Sequence, residues 1–275
     1  MKKCQLFCFE GLENRQLFTA GISYDDGVMT ITGTVAPDSI TVSMRDQSSD
    51  NLGYVYFNRR RFAIQEVVDE VNINSLDGSD KISVSAMLDR SRDPNPDPPE
   101  RILINIVSDK GNDRVSVSSD QEVFVDSGSG NDTVRMNNRG PTEVFGGDGN
   151  DVITLSGNVF GTDEFDFVAY GEDGDDRLYS RGTMTHILDG GEGNNRLYGS
   201  NGTTFYTVGA SPEAHDIISG GSGDDIVRAL GIGFIKFTGG RNGDDQFVMS
   251  QSVYRQRSAY PGLTILGPNI EIVIE

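Results

Sequence analysis

Apolar and polar residues alternate along most of the chain in short runs. Ile40, Val42 and Met44 stand at every second position, as do Ile102, Ile104 and Ile106, and residues 52–57 also fit a strand. Alternation of this kind, in runs rich in Val, Ile and Thr, is typical of β-strands that bury one face. The pattern therefore predicts an all-β protein built from many short strands.

A glycine-rich turn recurs between the alternating runs, with Asp or Asn at its sixth position. The fourth position is always glycine: Gly78, Gly111, Gly130, Gly149, Gly174, Gly193, Gly223 and Gly243. The sixth-position residues are Asp80, Asp113, Asp132, Asp151, Asp176, Asn195, Asp225 and Asp245. They are separated by 33, 19, 19, 25, 19, 30 and 20 residues, which gives a base period of about 19 once inserted loops are subtracted. A fixed period of this length predicts the stacked coils of a solenoid.

Two sets of apolar residues keep a constant distance from the sixth position. Two residues after it stand Ile82, Val115, Val134, Ile153, Leu178, Leu197, Val227 and Phe247, and seven residues before it stand Ile73, Ile106, Val125, Val144, Ala169, Leu188 and Ile218. Each residue of a set would pack on its equivalents in the neighbouring coils and bury a continuous core. We therefore predict a parallel β-solenoid (β-roll or β-helix) of ~19-residue coils, with two strands in each coil and the turn on one side.

The repeat divides the chain into four predicted parts: a leader over 1–20, an N-terminal β cap with degenerate first coils over 21–74, the solenoid over 75–249, and C-terminal cap strands over 250–275. Residues 62–71 fit a short helix or a strand, and we favour a strand. The proline-rich residues 89–100 fit a linker or a loop, and we favour a loop because strands resume in step after it. Cys4 and Cys8 lie in the leader, either paired or unpaired.

The net charge of the chain limits the classes of molecule that it is expected to bind. The net charge is −19, which argues against nucleic acid and anionic membranes, and no apolar run reaches the ~20 residues of a membrane-spanning helix. Many acidic residues fall in the repeated turns, where a cation would neutralise them. Any single turn also fits an ordinary polar β-turn, because Gly, Asn and Asp dominate such turns. Eight copies in phase favour metal, and oxygen donors on a flexible glycine turn favour Ca²⁺ over Mg²⁺.

The turns resemble the RTX, or haemolysin-type, calcium-binding nonapeptide GGxGxDxUx, where U is a large apolar residue. Residues 146–154 and 220–228 match every defined position, whereas Ser127 and Glu172 replace glycines and Asn195 replaces the aspartate. A turn near Asp38 is a decayed copy that we do not expect to bind metal. The resemblance covers about residues 75–249 and implies that the sixth-position residues bind Ca²⁺ together with backbone carbonyls. It adds these residues to the predicted metal site: Gly111, Gly130, Gly146, Asp148, Asn150, Gly171, Asp173, Asp175, Gly190, Glu192, Asn194, Gly220, Ser222, Asp224, Gly240, Asn242 and Asp244. Because the turns return every ~19 residues, we expect several ions in one row.

A second, partial resemblance lies at the N-terminus. Residues 12–18, Leu-Glu-Asn-Arg-Gln-Leu-Phe, resemble the Leu-Glu-Pro-Arg-x-Leu-Leu segment near the start of many secreted or surface proteins of bacteria. Both resemblances imply a secreted or cell-surface bacterial protein.

Two functions remain open, with a toxin or effector fragment as a third. The leading hypothesis is a structural or adhesive solenoid that folds and rigidifies on Ca²⁺, with extracellular polysaccharide or cell-surface components as partners. The alternative is a carbohydrate-active β-helix enzyme of the lyase or epimerase type. Its candidate groups are His186, His215, Lys236, Tyr170, Tyr179, Tyr198 and the pair Glu164 and Asp166. We expect no catalytic residues, because His186 fits a wall position and the turn arginines Arg114, Arg177 and Arg196 fit a role in offsetting carboxylates.

Overall fold

A computed structural model describes residues 21–45, 52–87, 101–157, 167–209, 214–231, 233–240, 242–256, 263–267 and 270–274. The leader with its two cysteines, the proline-rich residues 89–100 and the pair Glu164 and Asp166 lie outside these ranges.

The described residues form two long sheets whose strands alternate along the chain, as a β-solenoid requires. The strands are β1 (Gly21–Asp25), β2 (Val28–Thr32), β3 (Ser39–Met44), β4 (Gly53–Phe57), β5 (Arg60–Ala63), β6 (Glu70–Asn74), β7 (Lys81–Ala86), β8 (Leu103–Val107), β9 (Arg114–Ser119), β10 (Glu122–Asp126), β11 (Thr133–Asn138), β12 (Thr142–Asp148), β13 (Val152–Gly157), β14 (Phe167–Asp173), β15 (Arg177–Gly182), β16 (His186–Asp189), β17 (Arg196–Tyr198), β18 (Thr204–Val208), β19 (His215–Ser219), β20 (Ile226–Ala229), β21 (Phe234–Thr238), β22 (Asp245–Met249), β23 (Thr264–Leu266) and β24 (Ile270–Ile274). Sheet 1 has the order β1-β2-β6-β8-β10-β12-β14-β16-β18-β20-β22-β24, and sheet 2 has the order β23-β21-β19-β17-β15-β13-β11-β9-β7-β3-β4-β5. The predicted all-β solenoid is confirmed.

The core lies between the two sheets and consists of two apolar ladders. In sheet 1, Val125 pairs with Val144 and Val144 with Ala169, and in sheet 2 Val134 pairs with Ile153. All five side chains are buried, and their neighbours along each strand point outward. Each coil buries too little apolar area to fold alone, so the ladders stabilise the molecule through contacts between coils.

Antiparallel strands close the N-terminal end. β1 forms a hairpin with β2, and β3, β4 and β5 form a meander, while the remaining strand pairs of both sheets are parallel. The ambiguous residues 62–71 contain no helix, because β5 ends within them and β6 begins within them. A short helix not foreseen from the sequence, α1 (Gln251–Gln256), follows β22, and the predicted closing strands form as β23 and β24 at the C-terminal ends of sheets 2 and 1.

The glycine-rich turns lie at one edge of the solenoid in its first part and at the opposite edge near its C-terminal end. The prediction that all turns lie on one side is therefore wrong. Up to β17, each glycine-rich turn leads from sheet 1 to sheet 2. The turns that end at Asp225 and Asp245 lead instead from sheet 2 to sheet 1, so they lie at the opposite edge. The ladders exchange accordingly: Ile218 pairs with Leu197 in sheet 2, and Val227 pairs with Tyr206 in sheet 1.

Candidate metal centre

The backbone of the turn is held in left-handed conformations that glycine adopts most easily. Gly149, at a fourth position, has a φ of 130°, and an added Cβ would lie 1.8 Å from the Gly130 carbonyl oxygen of the preceding coil. Glycine is required there both for its φ and for this close approach. At the second position, Asp109 and Glu172 adopt φ values of 58° and 71°, so the turn keeps its shape where glycine is replaced.

At the first edge, the sixth-position side chains link each coil to the coil before it. One carboxylate oxygen, Oδ1, accepts a hydrogen bond from the backbone N–H of the preceding sixth-position residue. The donor-to-acceptor distance is 2.7 Å from Asp113 to Asp132, 2.7 Å from Asp132 to Asp151 and 2.8 Å from Asp151 to Asp176. We call this series, which runs from Asp38 to Asp216, the first row.

The second carboxylate oxygen in the middle of the first row has no partner. Oδ2 is buried and makes no hydrogen bond in Asp80, Asp113, Asp132, Asp151 and Asp176. Burial, together with repulsion from neighbouring carboxylates, raises the pKa of Asp132 and of Asp151 to about 7. An unpaired buried charge is strongly unfavourable, so each Oδ2 requires a proton or a cation beside it.

Backbone carbonyls face the same space as these oxygens. A Cβ built on Gly146 would lie 2.6 Å from Asp151 Oδ2 and 2.7 Å from the Gly171 carbonyl oxygen, and Gly171 stands in the same relation to Asp176 and Gly190. Two acceptors that converge on one space, one of them without a hydrogen-bond partner, form a donor set suited to a hard cation. The residues present therefore fit Ca²⁺, which when bound would supply the positive charge that the buried oxygens lack.

Towards its two ends, the first row satisfies its own polar groups. Both carboxylate oxygens of Asp38 accept hydrogen bonds, from Thr34 and from Asn58. The Asn195 amide Nδ2 reaches the carbonyls of Gly191 and Glu192, at 3.4 Å each. Asn195 therefore has an Nδ2–H group directed at the turn carbonyls, where an aspartate would have Oδ2 and would need a cation between Oδ2 and those carbonyls.

A second row lies at the opposite edge. The backbone N–H of Thr204 donates to Asp225 Oδ1 at 3.0 Å, and that of Asp225 donates to Asp245 Oδ1 at 3.1 Å. Here the turn itself satisfies Oδ2, which accepts a hydrogen bond from the N–H of Gly221 in Asp225 and from that of Gly240 in Asp245. The single row predicted from the period is therefore wrong: the turns form two rows.

The two edges divide the predicted site residues. The first edge holds Asp80, Gly111, Asp113, Gly130, Asp132, Gly146, Asp148, Asn150, Asp151, Gly171, Asp173, Asp175, Asp176, Gly190, Glu192, Asn194 and Asn195, and the second holds Gly220, Ser222, Asp224, Asp225, Gly240, Asn242, Asp244 and Asp245. Third-position carbonyls also join coils, since the N–H of Gly130 donates to Asp148 O and that of Gly149 to Asp173 O, both at 2.7 Å. A carbonyl has two lone pairs, so each retains one.

Sequence reasoning missed several members of these rows. Asp216 accepts the Asn195 N–H at 2.9 Å, and Thr204 heads the second row, yet neither belongs to a recognisable glycine turn. The fifth-position side chains form a parallel ladder, in which Asn112 accepts the N–H of Asn131 and Asn131 that of Asn150. The equal 19-residue step at the fifth position was the signal that could have revealed this ladder.

The catalytic candidates His186, Tyr179 and Tyr198, which the structure describes, make structural contacts. His186 is buried, its Nδ1–H donates to the Met184 carbonyl at 2.9 Å, and burial lowers its pKa to about 4, so it is a neutral wall residue as predicted. Tyr179 stacks on Tyr198 with 4.8 Å between ring centroids. In the part of the chain that the structure describes, three or more His, Cys, Asp or Glu side chains nowhere cluster around one point, so metal binding there relies on backbone carbonyls as well.

Comparison with known proteins identifies the repeat. Residues 140–158, 187–204 and 213–231 match the family model described as RTX calcium-binding nonapeptide repeat (4 copies), and these segments include turns from both rows. No curated protein and no solved structure matches the chain. RTX repeats are typically structural rather than enzymatic, in keeping with the expectation from the sequence. The matched repeats, together with the solenoid that they build, support an RTX-type calcium-binding repeat protein.

Proposed function

We propose that the protein is a secreted or cell-surface structural and adhesive solenoid that folds and becomes rigid when Ca²⁺ binds. The observation that carries this proposal is the run of five buried, unpartnered Oδ2 atoms in the first row. Without a cation, ionised aspartates stacked at the strand spacing of ~4.8 Å repel one another in a buried environment. Binding of Ca²⁺ to the folded state alone therefore stabilises it by mass action.

The ions lie between successive turns in this proposal. The ligands at the first edge are Asp80, Asp113, Asp132, Asp151, Asp176 and, as a neutral oxygen donor, Asn195, with the turn carbonyls named above. Asp225 and Asp245 provide the equivalent carboxylates at the second edge. Sites that include Asn195 bind more weakly, because its amide carries no charge and already contacts two carbonyls.

The test is thermal unfolding of the full chain, followed by circular dichroism, in millimolar Ca²⁺ and in excess chelator. We expect the melting temperature to fall in chelator and the β signal of much of the solenoid to disappear. Calorimetric titration of the chelated protein should then show several bound ions and recovery of the β signal. Identical melting curves in the two conditions would contradict calcium-dependent folding.

Location and domain organisation form the second part of the proposal. RTX repeats are typical of secreted bacterial proteins. In the described residues, the one helix, α1, spans six residues and is too short to cross a bilayer. The predicted leader (1–20), N-terminal cap (21–74), solenoid (75–249) and C-terminal cap (250–275) are retained as proposals. Fractionation of the producing cells, with mass spectrometry of the mature N-terminus, tests the location and any cleavage; recovery only from the cytosol would contradict it.

A further inference from the structure

The outer faces of the two sheets carry opposite charge. Outward positions on sheet 1 are rich in acidic residues: Glu70, Glu122, Asp126, Glu143, Asp148, Glu172, Asp173, Asp189 and Glu271. Outward positions on sheet 2 hold Lys81, Arg114, Arg135, Arg177, Arg181, Arg196 and Lys236. Among the described strands of sheet 2, no outward position carries Asp or Glu. A protein with a net charge of −19 thus presents one basic face.

Strand pairing aligns much of this basic face into one column. The column runs in register through Lys81, Arg114, Thr133, Val152, Arg177, Arg196, Ile217, Lys236 and Thr264. Its basic side chains are exposed, as are Arg135 and Arg181 beside it. We call the outward side of β7, β9, β11, β13, β15, β17, β19 and β21 the basic face.

The arginines of the basic face do not offset the turn carboxylates, as the sequence had led us to expect. The guanidinium groups of Arg114, Arg177 and Arg196 form no ion pair or hydrogen bond with any residue that the structure describes; only the backbone N–H of each donates, to the carbonyl of an aspartate in the preceding coil. Asp175, an exposed acid two residues before Arg177, accepts at its Oδ1 from the N–H and from Nδ2 of Asn194, at 2.8 Å each. Arginines without internal partners remain available to an external anion.

A groove of about 520 Å³ crosses the basic face over four neighbouring strands. Arg135 lies on β11 and Arg181 on β15, and the groove floor between them contains Thr154 and Ser156 of β13. Because one strand separates β11 from β15, the two arginines lie about 10 Å apart along the stack. The groove thus offers two widely spaced cationic groups with two hydroxyls between them: that of Thr154, and that of Ser156, which donates to the Met136 carbonyl and can accept a hydrogen bond from a ligand.

This arrangement favours an acidic polysaccharide over nucleic acid. A nucleic acid carries far denser charge, and single strands bind to aromatic platforms on which bases stack. The rings of Tyr179 and Tyr198 stack on each other with an angle of 6° between their planes, so each ring covers one face of the other. Spaced arginines with intervening hydroxyls suit a linear sugar chain with one anionic group per unit or fewer.

We propose that the basic face binds a linear acidic polysaccharide, with Arg135 and Arg181 as carboxylate- or sulfate-binding residues. The proposal rests on the adhesive function proposed above and gives the chemical class of its ligand. Arginine forms bidentate, charge-assisted hydrogen bonds with both anions, so carboxylated and sulfated chains share the same recognition chemistry. The Ca²⁺-binding edges of the solenoid are separate from this face and hold it rigid.

The experiment measures binding of the calcium-loaded full chain to immobilised dextran sulfate of low substitution (at most one sulfate per glucose), short oligogalacturonate, neutral dextran and single-stranded DNA. We expect binding to both acidic saccharides that weakens with added salt, and none to dextran. Comparison of the two acidic saccharides distinguishes a sulfate ligand from a carboxylate ligand. Absence of binding to both, or tighter binding to DNA than to either saccharide, would overturn the proposal.

Matched variants locate the binding surface. The double variant R135S/R181S should bind about 100-fold more weakly, because each arginine removed takes away a charge-assisted interaction that contributes about tenfold to the affinity. The control R228S removes one arginine from the outer face of sheet 1 and should bind as the wild type does. Equal losses in both variants would overturn the assignment of the face. Calcium titration and thermal melting of every variant show whether it still folds and binds Ca²⁺. A protein that is folded and calcium-loaded but does not bind either acidic saccharide contradicts the polysaccharide proposal and leaves the proposal of calcium-dependent folding intact.

Discussion

The two rows of turns use the same motif in opposite electrostatic situations. In the middle of the first row, Asp132 and Asp151 each leave a buried Oδ2 without a partner. In the second row, Asp225 and Asp245 direct Oδ2 to an N–H of their own turn, at 2.8 Å and 3.1 Å. The segment at residues 220–228 matches the nonapeptide at every position, yet it lies in the row whose polar groups are already satisfied. Agreement with the motif therefore does not measure how strongly a turn requires a cation, which depends on the stacking of its neighbours.

The largest predicted difference follows from removal of the sixth-position carboxylates. D132A/D151A should lose the ions on both sides of each residue, whereas D225A/D245A should lose fewer. Each ion contributes about 3 kcal/mol to the free energy of unfolding when Ca²⁺ is at ~100 times its dissociation constant. Calorimetric stoichiometry and chemical unfolding in Ca²⁺ measure both effects. Equal losses in the two double variants would show that the rows do not differ.

A methyl group placed in the cation space should have the next largest effect. Gly146→Ala puts Cβ within 2.7 Å of both Asp151 Oδ2 and the Gly171 carbonyl, and Gly146 does not have a left-handed φ that would add strain. We expect a loss of about 1–3 kcal/mol in the free energy of unfolding in Ca²⁺ and the loss of at least one ion. Gly220→Ala meets Asp225 Oδ2 at 2.7 Å but no facing carbonyl, so it should retain more Ca²⁺. The ion count, measured by calorimetry, separates the two variants, and a greater loss in Gly220→Ala would contradict the comparison.

Replacement of Asp by Asn at position 151, and of Asn by Asp at position 195, should have opposite effects on stability without metal and on Ca²⁺ binding. Asp151→Asn supplies an N–H group of the kind that Asn195 directs to its turn carbonyls, so the chelated protein should gain about 1 kcal/mol while Ca²⁺ binding falls. Asn195→Asp should do the opposite, with weaker folding in chelator and an additional ion in Ca²⁺. Unfolding in chelator and in Ca²⁺ tests both signs, and a shift in the same direction for both variants would contradict the role assigned to the amide.

The last prediction concerns the pH dependence of the calcium-free protein. The pKa of Asp132 and of Asp151 is raised to about 7 in the folded chain, above the value of ~3.9 in the unfolded chain. The folded state therefore binds more protons than the unfolded state between these values, and its stability falls as pH rises from about 4 to about 7. Calcium affinity should rise over the upper part of the same window, because protons compete for the same oxygens. Urea unfolding in chelator at several pH values tests this, with D132N/D151N as the variant whose pH slope should flatten; stability that rises with pH would contradict it.

Much of the fold was predictable because its information is local. The period of two gives strands, and the left-handed φ at Gly149 explains why the fourth position of the turn is glycine. The steps of about 19 residues give the coil length, and the buried pairs such as Val134 with Ile153 follow from it. The roles of Asp216 and Thr204 were not predictable, because both enter their rows through strand register without a glycine turn around them.

The sequence by itself determined that this chain is a solenoid of short strands with carboxylate-bearing glycine turns, since strand period, turn chemistry and repeat length are properties of short segments. Only the tertiary structure decided at which edge each turn lies. The 30 residues from Asn195 to Asp225 contain one full coil, which ends at Asp216, and then a half coil, which ends at Asp225 on the opposite edge. The alternation of apolar and polar residues is the same in the strands of both sheets. An inward face that suits both sheets cannot specify which sheet a strand joins. Contacts between stacked coils determine which sheet each strand joins. As a result, the unpartnered carboxylates lie on one edge, and arginines from strands that are distant in the sequence lie on one face.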